Sequence, residues 1–68
     1  MKMTVLDKIE TTLRKNTQTP GISASKLARL TGTSRENAVK RISDLRTKRE
    51  LEIYTNTRGD KTFYRLAV

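Results

Sequence analysis

The chain has 68 residues, enough for one domain near the lower limit at which a hydrophobic core sustains itself. Apolar residues make up 34% and aromatics 4%, so the core must be compact and built mainly from Leu, Ile, Val and Ala. Fifteen Lys and Arg oppose seven Asp and Glu, a net charge of +8. Cysteine and histidine are absent, which excludes disulfides, thiolate metal sites and the commonest general base.

A balance this basic, with an isoelectric point near 10.5, attracts polyanions, because each cation laid on a phosphate releases condensed counterions. Charge alone does not separate nucleic acid from an acidic membrane or an acidic protein. The stretch from Met1 to Lys8 has no apolar run long enough for a signal peptide, and no segment approaches a membrane span. The expectation is a soluble cytoplasmic protein, nucleoid-associated or, if phage-encoded, in the host cytoplasm. No membrane partner, cofactor or metal is expected.

The first predicted helix runs from about Thr4 to Lys15. Val5, Leu6, Ile9 and Leu13 gather on one face, and Thr4 with Asp7 forms a capping box. Turn formers and the only proline then break the pattern from Asn16 to Gly21. A second, short helix follows. Ser23 is its N-cap, Ile22 and Leu27 are set for a hydrophobic staple, and Gly32 is placed to end it in a left-handed conformation. Leu27, Ala28 and Leu30 are expected on its buried face.

The third helix starts almost at once, with Thr33 and Glu36 read as a second capping box, and runs to about Lys48 or Arg49. Ala38, Ile42 and Leu45 make a narrow apolar stripe. Val39 lies about 100° from that direction and is read as half-buried packing in preference to a base contact. Beyond the helix the period becomes two. Leu51 and Ile53 alternate with Glu52 and Tyr54, and Tyr64, Leu66 and Val68 alternate with Phe63, Arg65 and Ala67. The polar stretch Asn56 to Lys61 holds the glycine that a hairpin turn wants. No repeat, linker or low-complexity tract interrupts the single domain, 1–68.

Two helices joined by a short glycine-containing turn form a helix-turn-helix unit, whose second helix can enter a major groove. The run Ile22 to Ala28, the turn Thr31-Gly32-Thr33-Ser34, the stripe Ala38, Ile42, Leu45 and Leu51, and the ending Tyr64-Arg65-Leu66 together resemble the winged helix-turn-helix superfamily. The resemblance covers Val5 to Val68. It implies an α+β fold: three helices, then a two-stranded antiparallel hairpin (the wing), with room for a short strand near Ile22. It also implies that the loop between the last two strands lies along the minor groove or backbone. One subfamily binds left-handed nucleic acid through an Asn and a Tyr on the third helix. Those positions are Val39 and Ser43 here, so Z-form recognition is rejected.

The outward face of the third helix offers Ser34, Arg35, Asn37, Lys40 and, at its border, Arg41. Arg pairs with guanine, Asn with adenine, and Ser reaches bases or phosphates. The wing resemblance adds Arg58 and Lys61 around Gly59, and the start of the second helix adds Lys26 as a backbone anchor. Taken singly, Arg35 and Lys40 are more often plain solvated residues of an outward helix face, and the hairpin charges those of a short polar turn, with Arg58 favoured as a contact.

The reading is a sequence-specific double-stranded DNA-binding protein, a small regulator of transcription and not an enzyme. An isolated module buries limited surface, so a homodimer would add specificity, with the first helix as its surface. No small-molecule ligand is expected. The alternative is a winged helix module that binds a transcription or host factor, for which exposed Tyr54 and Phe63 would form the patch.

Overall fold

The computed structural model describes residues 2–67, so Val68 lies outside the described residues. Three helices and a three-stranded antiparallel sheet follow in the order α1 (Val5–Lys15), β1 (Ile22–Ser23), α2 (Ala24–Thr31), α3 (Arg35–Lys48), β2 (Ile53–Arg58) and β3 (Lys61–Leu66). Among the described residues no helix is long and apolar enough to cross a membrane.

Helix α1 begins as its sequence dictates. Thr4 Oγ1 accepts the Asp7 amide, and Asp7 Oδ2 accepts the Thr4 amide, both at 3.1 Å. Ile9 and Leu13 are fully buried, with Val5 and Leu6 packed at the margin. In α2, Ser23 Oγ accepts the Lys26 amide, and Gly32 closes the helix at φ 69°. The buried face is Ala24, Leu27, Ala28 and Thr31. Leu30 was expected there and is instead 57% exposed. It sits about 110° around the helix from the centre of that face. Thr31 takes the inward place because its hydroxyl donates to Leu27 O at 2.8 Å, which satisfies the buried oxygen.

The third helix also starts differently from expectation. Ser34, not Thr33, is the N-cap, and its Oγ accepts the Asn37 amide at 3.1 Å. The reason lies in the preceding helix: the Thr33 amide donates to Ala28 O, so Thr33 still belongs to the closing turn of α2. Glu36 therefore has no capping-box partner. Ala38, Ile42 and Leu45 are buried as predicted, but Val39 is 39% exposed, which overturns its assignment to packing. The stripe that meets the core is simply too narrow to include it.

Strand β2 begins at Ile53, two residues after the expected alternation starts at Leu51. Glu50 adopts φ 52° and the Leu51 amide donates to Leu45 O, so this segment serves as the exit turn of α3. The hairpin is tighter than the polar stretch suggested. Arg58 pairs with Lys61, leaving Gly59 (φ 63°) and Asp60 as a two-residue turn. Ile53, Tyr64 and Leu66 complete the core beneath the helices. The short strand near Ile22 forms as β1, with Ile22 opposite Tyr64 and Ser23 opposite Phe63. Gly21 makes this approach feasible: at φ 102°, a Cβ there would stand 2.2 Å from Tyr64 O.

A charge clamp joins α1 to the end of α3. Arg49 donates to Glu10 Oε1 at 2.6 Å and to Asp7 Oδ1 at 2.7 Å. Hydrogen bonding from Arg49, then from Thr4, holds the Asp7 carboxyl below its ordinary range. Arg49, then Arg14, does the same for Glu10.

Two outcomes follow from this packing. Gly21→Ala should lose roughly 2–4 kcal/mol of stability by urea denaturation, through steric conflict and backbone strain together. A lowered carboxylate pKa contributes stability above the unfolded-chain values of about 3.9 and 4.3, lost as pH falls through the lower folded values. The melting-temperature gap between the native protein and Arg49→Ala should therefore be present at pH 7 and close in acid.

Candidate nucleic-acid interface

The sheet and the α2–α3 pair meet at one shallow groove of about 410 Å³. The first turn of α2 lines it with Ser23, Ala24, Ser25 and Lys26, followed by Arg29. Arg35 enters from the start of α3, and Asp60, Lys61 and Thr62 from the hairpin. Chain topology explains the convergence. β1 lies beside β3 and runs straight into α2, so the α2 start is held next to the hairpin. The Gly32 turn then returns the chain so that α3 begins beside α2.

Chemically the groove suits an anion. Four cations (Lys26, Arg29, Arg35 and Lys61) face one carboxylate, Asp60. The first-turn amides of α2 have no intrahelical acceptor, and the helix dipole adds positive potential at that end. Lys26, Arg35 and Lys61 were singled out from the sequence; Arg29 was not. It follows Lys26 by three residues on the side of α2 away from Leu27 and Ala28, so a helical wheel of α2 holds the signal.

The other predicted residues divide. Lys40 is exposed on α3, where it lines an open surface with Arg35, Glu36 and Val39. Ser34 is exposed but occupied as the N-cap acceptor, which leaves its hydroxyl hydrogen to donate. Asn37 is half-buried, and its Nδ2 donates to Thr33 Oγ1 at 2.7 Å, so part of the amide an adenine would need is engaged. Arg41 Nε lies 2.9 Å from Asp44 Oδ2, an ion pair whose angle falls short of a hydrogen bond and which draws the side chain away from the leading turns. Arg58 is exposed at the hairpin end, opposite Lys61.

Several further arginines act within the fold. Arg46 Nη2 donates to Ile53 O at 2.8 Å and to Thr55 Oγ1 at 2.7 Å, tying the second half of α3 to β2. Glu52 O accepts the Ala67 amide, so by alternation the Ile53 carbonyl faces the free edge of the sheet, and Arg46 covers it. Arg65 lies over the Tyr54 ring, 4.8 Å from its centroid. Phe63, the other half of the expected aromatic patch, is half-buried. Periodicity carries no signal for the Arg46 contact, which depends on how the hairpin folds back on α3.

No protein-family model matches the chain, and no curated protein or solved structure matches it.

Because Arg46 ties α3 to β2 by two hydrogen bonds, Arg46→Ala should cost about 1–2 kcal/mol. Amide hydrogen exchange should quicken in β2 more than in α1, where a uniform change would show that the contact is not local.

Proposed function

We propose that the protein is a winged helix-turn-helix module that binds duplex DNA, with the leading turns of α3 in the major groove and the β2–β3 hairpin as the wing. The observation that carries this reading is the groove. Cations from α2, from the first residue of α3 and from the hairpin share one surface, beside the exposed face of α3. The element order, with a short strand at Ile22, is compatible with the layout that the resemblance implies.

In this arrangement neighbouring phosphates lie along the groove against Lys26, Arg29, Arg35 and Lys61, with the Ala24 and Ser25 amides at the start of α2 beside them. That anchor sets the depth and register of α3, so that Lys40 and the exposed side of the helix meet base edges. Arg58 reaches the flanking backbone or the minor groove, where a narrow A·T-rich segment draws a guanidinium. Occupancy of a promoter or operator would then regulate transcription. Glu36 and Asp44 repel phosphate, which favours docking by the front of α3 over its middle.

The protein-partner reading has less support. Of the aromatic pair expected to form its patch, Phe63 is half-buried and Arg65 covers one face of Tyr54.

The test is duplex binding by fluorescence anisotropy across a salt series. Five cations on phosphates (Lys26, Arg29, Arg35, Arg58 and Lys61) predict a log–log slope of about −4 to −5. Arg35→Ala and Lys61→Ala should each weaken binding and lower the slope magnitude by about 1, while Lys8→Ala on α1 should leave both unchanged. A flat salt response would overturn the reading.

A further inference from the structure

We propose that Val39 reads the C5-methyl group of a pyrimidine in the major groove and so determines sequence specificity on the α3 face. The inference rests on the duplex reading above. Val39 is 39% exposed and shares an open surface of about 490 Å³ with Arg35, Glu36 and Lys40. Every other residue of that surface is charged, and Ser43, one turn further on, is polar and exposed.

A valine at such a place has no local reason to be there. A β-branched side chain is a weaker helix former than alanine. Core burial does not compensate, because Ala38, Ile42 and Leu45 already supply the inward face of α3. On the face proposed to meet the duplex, it offers an apolar contact among charges. In a major groove the apolar group on a base edge is the C5-methyl, carried by thymine and by 5-methylcytosine.

The neighbours determine which part of the duplex Val39 meets. Glu36, three residues earlier on the same surface, repels phosphate and keeps this part of the helix off the backbone. Arg35 belongs both to this surface and to the cationic groove, so a phosphate held in the groove places Val39 one helical turn inward from that anchor. Two of the other candidate base readers are committed elsewhere: Asn37 to Thr33, and Arg41 to Asp44. That leaves Val39 and Lys40 for the base edges at the centre of the face, and Val39 is the one that can read an apolar group.

The experiment uses the duplex recovered by site selection from a random pool. It is resynthesised with deoxyuridine replacing each thymidine in turn, and with 5-methyldeoxycytidine replacing each deoxycytidine. Burying one methyl group corresponds to about a fourfold change in affinity. At one position or more, the methylated base should bind the native protein about fourfold tighter than its unmethylated counterpart. Thymidine positions identify thymine as the target, and deoxycytidine positions identify 5-methylcytosine. Val39→Ala, which keeps a good helix former and should retain the native circular dichroism spectrum, should bind both forms of that position equally. Duplex binding that ignores every methyl group, or a Val39→Ala variant that still discriminates, overturns this inference and leaves the duplex reading standing. Recovery of no duplex at all overturns both.

Discussion

The pairing of β1 with β3 is the contact on which the arrangement depends. It is only two residues long, yet it turns a hairpin and a helical unit into one body. Ile22 is buried opposite Tyr64, so the strand is held by apolar burial as well as by its backbone. Gly21 is what lets the chain come so near the Tyr64 carbonyl. Without that approach the start of α2 would not lie beside the hairpin, and the cations of the groove would belong to separate surfaces.

Arginine does two kinds of work in this small domain. Arg46 and Arg49 replace core that a chain of this size cannot build, one bracing β2 against α3 and the other clamping α3 to α1. Such exposed or half-exposed contacts contribute modestly to stability. Their placement matters more, because Arg46 joins α3 to β2 and covers the sheet edge where another strand could pair. The cations left over for a ligand include those that line the groove. Net charge alone does not make this division. Under the proposed reading it is what separates cations that position phosphate from cations that position the fold.

Much of the candidate site was legible before folding because it follows local rules. Lys26 stands just after an N-cap, Arg35 at the start of a helix, and Lys61 beside a turn glycine, and capping and turn chemistry act over a few residues. Arg29 escaped notice although the helical period of α2 places it on the outward side. Asn37 and Arg41 looked equally available, but each has a neighbour that competes for it. Thr33 is free to accept from Asn37 only because the cap falls on Ser34. That shift traces to Gly32 drawing the Thr33 amide into the end of α2.

The sequence by itself determined the element order, the caps on Thr4 and Ser23, the glycine stop at Gly32, and the apolar stripe of Ala38, Ile42 and Leu45. Each rests on contacts within a turn or two of chain, where spacing and residue type suffice. The tertiary structure decided that Leu30 and Val39 face outward, that Arg46 and Arg49 brace the helices, and that Lys26, Arg29, Arg35 and Lys61 share one groove. Helical period hints at the outward place of Leu30, Val39 and Arg29, but the bracing contacts and the shared groove depend on how distant segments pack, which no periodicity within a single element encodes.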